Sequence, residues 1–266
     1  MKLGVIGYGK MGSAIVRGVV AAGLAKEGDI YVYDVNDSVV AKAVSEGHSS
    51  CENINAVFRS CDTVLFAVKP QEAAALIASV LNLGSCKLIL SIMAGVPFSA
   101  FARFGEVAMA CVMPNTCAVI GESASAICYN QFVTPGAVTL TREICGAIGE
   151  YVEIDESLMD DVIPAGGSFT AYAYLFMKAF IDSSVKRGIE RETAKKLVIQ
   201  SMIGSAKMVE RFDDTDKLIK DVCSKGGTTL AGLEKLYDGG FETMIDDCCI
   251  ACAERSKELG KLVTKD

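Results

Sequence analysis

Two stretches of this sequence set a glycine-rich turn at the start of a helix, an arrangement that suits binding of an anion. The first is Gly7-Tyr8-Gly9-Lys10-Met11-Gly12. A helix start leaves backbone N–H groups without intrahelical partners and carries the positive end of the helix dipole, so the main chain itself can hold a phosphate. In the G-x-G-x-x-G spacing, Gly7 permits a tight turn, Gly9 removes the Cβ that would block a pyrophosphate, and Gly12 lets the helix approach the preceding strand. Lys10 and Met11 are placed to supply N–H groups, with Tyr8 in the turn between. Alone the pattern is weak. Here it follows an apolar strand, opens an amphipathic helix and precedes a second strand ending in Asp34. A carboxylate at that position accepts hydrogen bonds from adenine ribose hydroxyls and repels a 2′-phosphate. The following Val35-Asn36-Asp37 contains no cation to compensate, which favours NADH over NADPH. The plainer reading of Asp34 is a cap for a helix starting near Ser38.

The second stretch is Ser224-Lys225-Gly226-Gly227-Thr228-Thr229, a small loop running into a helix, with hydroxyls beside the free N–H groups. A carboxylate fits there; the plain alternative is an ordinary helix cap. Three further segments combine strand ends with turn residues, where open α/β sheets place ligands. They are Ala67-Val68-Lys69-Pro70, the Ala94-Gly95 turn after Ser91, and Met113-Pro114-Asn115-Thr116. Ala67, Val68, Lys69, Pro70, Ala94, Gly95 and Asn115 are expected around the nicotinamide end of the dinucleotide.

The segments that carry these residues fall into two kinds. Up to about residue 154, short apolar runs (2–6, 30–33, 63–68, 87–91 and 107–113) alternate with helical segments (10–22, 38–46 and 71–81). Nearly continuous apolar strands separated by helices predict a doubly wound parallel sheet. From residue 155 onward a 3.6-residue period takes over, predicting helices over 168–186, 192–211, 229–237 and 241–262. The expected fold is therefore α/β, a Rossmann-type domain over 1–154 followed by an all-helical domain over 155–266. The first long helix is apolar around more than one face, with Tyr174, Leu175, Phe176, Phe180 and Ile181 spread over its circumference. Such a helix must be buried on several sides, and a second copy of the chain is the expected source of that burial.

Composition excludes several classes. Hydrophobic residues make up 51% and charged residues 22% of 266, enough apolar material for packed cores and unlike a disordered chain. The net charge of −7 with scattered cations argues against a nucleic-acid partner. No run is apolar for long enough to span a bilayer. Eleven cysteines sit in apolar segments such as Ala126-Ile127-Cys128, where cysteine acts as a small hydrophobe; with no secretion-type leader, a reducing cytoplasmic setting is expected. Cys248, Cys249 and Cys252 lack a fourth ligand, so no metal site is expected. His48, the single histidine, falls in a loop and is expected to be solvated.

In order and wording, the glycine loop, Ala67-Val68-Lys69-Pro70, Met113-Pro114-Asn115-Thr116, the stretch from Asp161 to Tyr172 and Ser224-Lys225-Gly226-Gly227-Thr228-Thr229 resemble the pyrroline-5-carboxylate reductases over nearly the whole chain. The resemblance implies reduction of 1-pyrroline-5-carboxylate to L-proline by NADH or NADPH, a helical dimerisation domain with interlocked subunits, and a homodimer or higher homo-oligomer whose substrate site is completed across the dimer interface. It also implies that Ser224, Lys225, Gly226, Gly227, Thr228 and Thr229 bind the substrate carboxylate. Thr229 would hydrogen-bond the ring nitrogen as the catalytic residue, and Asn53 would contact the cofactor. Two departures stand out: Lys225 replaces the family's proline, and Gly166-Gly167-Ser168-Phe169-Thr170-Ala171-Tyr172 replaces Ser-Gly-Ser-Gly-Pro-Ala-Tyr. Phe169 is expected to narrow the pocket. Three other readings compete: a reductase of another cyclic imine, a 3-hydroxy acid enzyme with Lys178 as its catalytic lysine, and a nucleotide-binding sensor without turnover.

Overall fold

The computed structural model describes residues 1–264. Eight strands form one sheet: β1 (Leu3–Ile6), β2 (Ile30–Tyr33), β3 (Ser49–Ser50), β4 (Thr63–Phe66), β5 (Leu88–Ser91), β6 (Ala108–Met113), β7 (Ser123–Tyr129) and β8 (Gly149–Glu153). Their order is β3-β2-β1-β4-β5-β6-β7-β8. Pairing is parallel from β3 to β6; β7 then runs antiparallel to β6, and β8 parallel to β7. The expected Rossmann-type sheet is present, with its switch point between β1 and β4, where chain order reverses.

The alternation of side chains across a two-faced sheet is clear. Leu3, Val5, Leu65, Leu88, Leu90, Ala110 and Val112 point to one core with Ile15, Val16 and Ile144. Ile6, Val64, Phe66, Ile89 and Met109 point to the other with Val57, Phe58, Ile77 and Phe101. Burying each large side chain contributes roughly 1.5–3 kcal/mol, so both faces of the sheet are covered and the strand ends are rigidly placed. On these faces lie α1 (Lys10–Ala21), α2 (Asp37–Ser45), α3 (Ile54–Ser60), α4 (Ala73–Ser79) and α5 (Pro135–Gly146).

The sheet is larger than the five expected strands. β7 is built of small residues, Ser-Ala-Ser-Ala-Ile-Cys-Tyr, and β8 is an exposed edge of sequence Gly-Glu-Tyr-Val-Glu. Neither carries the long apolar run of a central parallel strand. The helix expected over 71–81 starts as a 3-10 turn, Pro70–Glu72, before α4.

The remaining helices are α6 (Phe169–Lys186), α7 (Arg191–Phe212), α8 (Thr215–Val222), α9 (Thr228–Asp238) and α10 (Phe241–Val263). The chain divides into two compact units, one of residues 1–170 with 249 onward, the other 171–248. Within the first unit the second half of α10 lies against the turn after β5: a Cβ on Gly260 would meet the Gly95 carbonyl, and one on Gly95 would meet the Ser256 carbonyl. Ser256 Oγ donates to Asp160, and Lys257 Nζ reaches Asp161 at 2.7 Å. In the second unit, among the described residues 171–248, Ala194 alone is buried, and α6 has no buried residue. Tyr174, Leu175, Phe180, Leu197, Phe212 and Met244 are all exposed. No helix among the described residues is long and apolar enough to cross a membrane.

Candidate functional site

The glycine turn follows β1 directly. Gly7 has φ +95°, a left-handed conformation that favours glycine, and a Cβ there would come within 2.6 Å of the Ala67 carbonyl oxygen. Gly12 is equally constrained, because a Cβ would strike the Gly7 carbonyl and press on Ala67. Gly9 differs: a Cβ there would meet no protein atom within 4 Å. Packing within the protein does not require glycine at that position, and the space in front of its backbone is open to a ligand. Gly9 is also the N-cap of α1, and no side chain caps that helix.

In front of this helix start lies a cavity of about 850 Å³, the size of a dinucleotide-scale pocket. It brings together Gly7, Gly9, Lys10, Met11, Asp34, Ala67, Val68 and Lys69 of the expected residues. Val35, Asn36, Val39, Ile54, Leu76 and Ile92 also line it. Val39 and Ile54 add apolar wall, and their positions in the first turn of α2 and just after Asn53 were the available signals. Tyr8, Gly12, Asn53, Pro70, Ala94, Gly95 and Asn115 do not line the cavity. Asn53 caps α3, accepting from Ala56 N at 2.9 Å. Asn115 is buried, accepting from Cys117 N at 3.0 Å and donating to the Gly166 carbonyl at 3.3 Å.

Asp34 directly follows β2, with both carboxylate oxygens engaged: Oδ2 accepts from Tyr8 N at 2.8 Å, and Oδ1 from Asn36 N at 2.9 Å. The residue that caps α2 is Asn36, whose Oδ1 accepts from Ser38 N, so the capping role considered for Asp34 falls to its neighbour. A carboxylate oxygen has acceptor capacity beyond one N–H bond, which leaves Asp34 able to accept ribose hydroxyls. An uncapped helix start, an open space at Gly9 and a fixed carboxylate at the second strand end are the chemistry of an adenine dinucleotide site. The pyrophosphate would rest on the α1 N–H groups and the ribose on Asp34.

His48 corrects the sequence reading. It is 8% exposed, its ring stands edge-on to Tyr8 at 5.6 Å between centroids, and Nδ1 lies 3.0 Å from the Glu27 carbonyl oxygen. Nothing in its local sequence signals that burial. Loss of solvent pushes the buried thiols of Cys61 and Cys145, and the half-buried thiol of Cys86, up to about 12, the behaviour of packing residues. Among the described residues no group of three or more potential ligands converges on a metal position.

In the second unit, Gly227 N donates to the Ser224 carbonyl at 2.9 Å, closing a turn with Gly226 at φ +69° in its third position. A Cβ on Gly227 would meet Ser224 Oγ. Proline is favoured at the second position of such turns and other residues are accepted there, which accounts for how Lys225 fits. Gly227 is the N-cap of α9, uncapped by any side chain, and Thr228 and Thr229 form the first turn with exposed side chains. Lys178 Nζ pairs with Asp182 at 2.6 Å, and Asp182 with Arg191 at 2.8 Å; the two cations hold the Asp182 carboxyl down at about 2. In the first unit, Phe169 is half exposed at the start of α6, and Thr170 Oγ1 lies 3.4 Å from Thr116 Oγ1.

A family model described as pyrroline-5-carboxylate reductase dimerisation matches residues 156–259. Another, described as NADP oxidoreductase, coenzyme F420-dependent, matches residues 2–95. The pyrroline-5-carboxylate reductase of Methanosarcina acetivorans is 36% identical over 265 residues, covering 98% of both chains. The chain belongs to the pyrroline-5-carboxylate reductase family. The family member from Escherichia coli K12 is 33% identical over 265 residues, again with 98% of both chains covered. The Plasmodium falciparum pyrroline carboxylate reductase, solved with NADP bound, has a TM-score of 0.89 at 30% identity over 98% of both chains. Membership in this reductase family agrees with the Rossmann-type sheet and the helical C-terminal part.

Proposed function

We propose that the chain reduces 1-pyrroline-5-carboxylate to L-proline, with NADH preferred over NADPH, as a cytoplasmic homodimer or higher homo-oligomer. The observation that carries this reading is near-full-length similarity to pyrroline-5-carboxylate reductases in a chain whose α1 start opens onto a cavity of dinucleotide size. The unpaired N–H groups at Lys10 and Met11 bind the pyrophosphate, and Asp34 accepts from the adenine ribose. When bound, the reduced nicotinamide supplies a hydride to the carbon of the C=N bond. The turn Ser224–Gly227 and the first N–H groups of α9 hold the substrate carboxylate, since a helix start favours an anion. Thr229 Oγ1 holds the ring nitrogen in register and relays a proton to it. Positioning of this kind can supply several kcal/mol of rate acceleration without a group that titrates near neutrality. Lys178, tied to Asp182, does not fit the catalytic lysine of a hydroxyacid enzyme.

The test follows the loss of reduced nicotinamide absorbance with pyrroline carboxylate, using NADH and NADPH in turn. Turnover with a higher kcat/KM for NADH is expected, and Thr229→Val is expected to lower kcat/KM about 100-fold or more, the lower end of what a lost proton-transfer partner costs. Tight NADH binding without consumption would replace the enzyme reading with that of a sensor. An NADPH preference would overturn the NADH reading and show that Asp34 alone does not decide cofactor choice.

A further inference from the structure

Tyr8 occupies the variable position between the first two glycines of the loop, and its side chain turns away from the cavity. It is 1% exposed and belongs to the core formed by Leu3, Val5 and Ile15. Its hydroxyl donates to Glu46 Oε2 at 2.6 Å, across 38 residues of sequence, while its backbone N–H donates to Asp34 Oδ2. Glu46 is the C-cap residue of α2; its other oxygen faces Lys42 at 3.9 Å. The N-terminus of the same helix is fixed by Asn36, whose own N–H donates to Asp34 Oδ1. These bonds close a ring: Asp34 to Asn36, along α2 to Glu46, across to the Tyr8 hydroxyl, and through the Tyr8 N–H back to Asp34. Burial and the Glu46 carboxylate hold the Tyr8 phenol above its ordinary range, so the hydroxyl stays a donor at all working pH values.

We propose that Tyr8 is a positioning residue for cofactor choice: its bond to Glu46 clamps α2 and the glycine loop together, and so fixes where the Asp34 carboxylate points. The inference rests on the dinucleotide site proposed above. A hydrogen bond between a neutral donor and a charged acceptor in a half-buried place is stronger than one between neutral groups. Losing it frees both the Tyr8 N–H and the α2 start that orient Asp34. A dinucleotide with a free 2′-hydroxyl gains from a fixed carboxylate, whereas one with a 2′-phosphate is repelled by it. Loosening Asp34 therefore harms the first and spares the second.

The experiment measures dissociation constants of NAD⁺ and NADP⁺ by titration calorimetry on the full chain, with steady-state kinetics alongside. Tyr8→Phe keeps the ring packed on His48 and removes only the hydroxyl. It is expected to weaken NAD⁺ about tenfold and NADP⁺ less than threefold, with the kinetic loss falling on the KM for NADH in preference to kcat. Glu46→Ala is expected to reproduce this shift, the double variant to add nothing to either single one, and Glu46→Gln, which keeps an acceptor, to restore the wild-type ratio. A ratio in Tyr8→Phe within twofold of wild type overturns the proposal. So do equal losses for both dinucleotides, additive single variants, or failure of Glu46→Gln to rescue. Should wild type prefer NADP⁺ while Tyr8→Phe still moves the ratio, the NADH reading fails and the positioning role stands. If wild type binds neither dinucleotide, both fail.

Discussion

The two compact units treat their apolar residues in opposite ways. Residues 1–170, with the end of α10, bury Leu3, Phe58, Phe66, Phe101 and Ile127 almost completely within one chain. The helices of 171–248 leave Leu175 at 66% and Leu197 at 60% exposed, with Ala194 the one buried residue among those described. A stretch so apolar and so uncovered does not carry its own hydrophobic driving force, because that force scales with the area removed from water. The first unit closes its core within one chain, whereas the helical unit leaves apolar surface for a second copy to cover.

The largest effect tests that asymmetry directly. Leu175→Glu places a charge on the uncovered face of α6, where dimer burial would leave it unpaired at a cost of several kcal/mol. Sedimentation is expected to move the chain to monomer, with activity falling at least about 100-fold by that disruption. A dimer of normal activity would mean that something other than a second copy covers this face.

The next two substitutions sharpen the contrast inside the first unit. Gly12→Ala drives a methyl into the Gly7 carbonyl, and overpacking of this kind costs about 1–3 kcal/mol or more, to be read as a lowered denaturation midpoint. Gly9→Ala meets no protein atom, so its denaturation midpoint is expected to stay near wild type while dinucleotide affinity drops about tenfold, or about 1.4 kcal/mol. Reversal of that order would mean that Gly9 serves the fold and not the ligand. The smallest effect belongs to the helical half: Lys225→Pro restricts the unfolded chain at a turn position where proline fits. It is expected to add about 0.4–1 kcal/mol of stability and to lower the KM for substrate. A loss of stability would show that the Lys225 backbone does not have the conformation proline needs.

Legibility in the sequence follows the range of the interaction that matters. The central strands were readable because a parallel sheet covered on both faces demands nearly unbroken apolar runs, as at Thr63–Phe66 and Leu88–Ser91. The glycine turn was readable because its steric demands are local: Gly7 and Gly12 are forced by atoms of the turn itself and of the adjacent β4 end. β7 and β8 escaped notice because small residues and an exposed edge carry no strong period. The fate of Asp34 was half visible. Its place at the β2 end was clear, but the identity of the α2 cap depended on which of two neighbouring oxygens faced the helix, and Asn36 takes that role. The side-chain surroundings of Tyr8 and the burial of His48 were hidden for one reason: their partners Glu46 and Glu27 lie 38 and 21 residues away. Only the folded α2 and the turn before β2 bring them near the glycine loop.

The lone imidazole against the Tyr8 ring gives the molecule an internal reporter. With one histidine in the chain, no second imidazole overlaps its ring-proton signals, and the neighbouring aromatic current makes their shifts sensitive to small rotations of that phenol. A spectroscopist can thus follow the glycine turn through a titration with nucleotide at a native position, with no label attached.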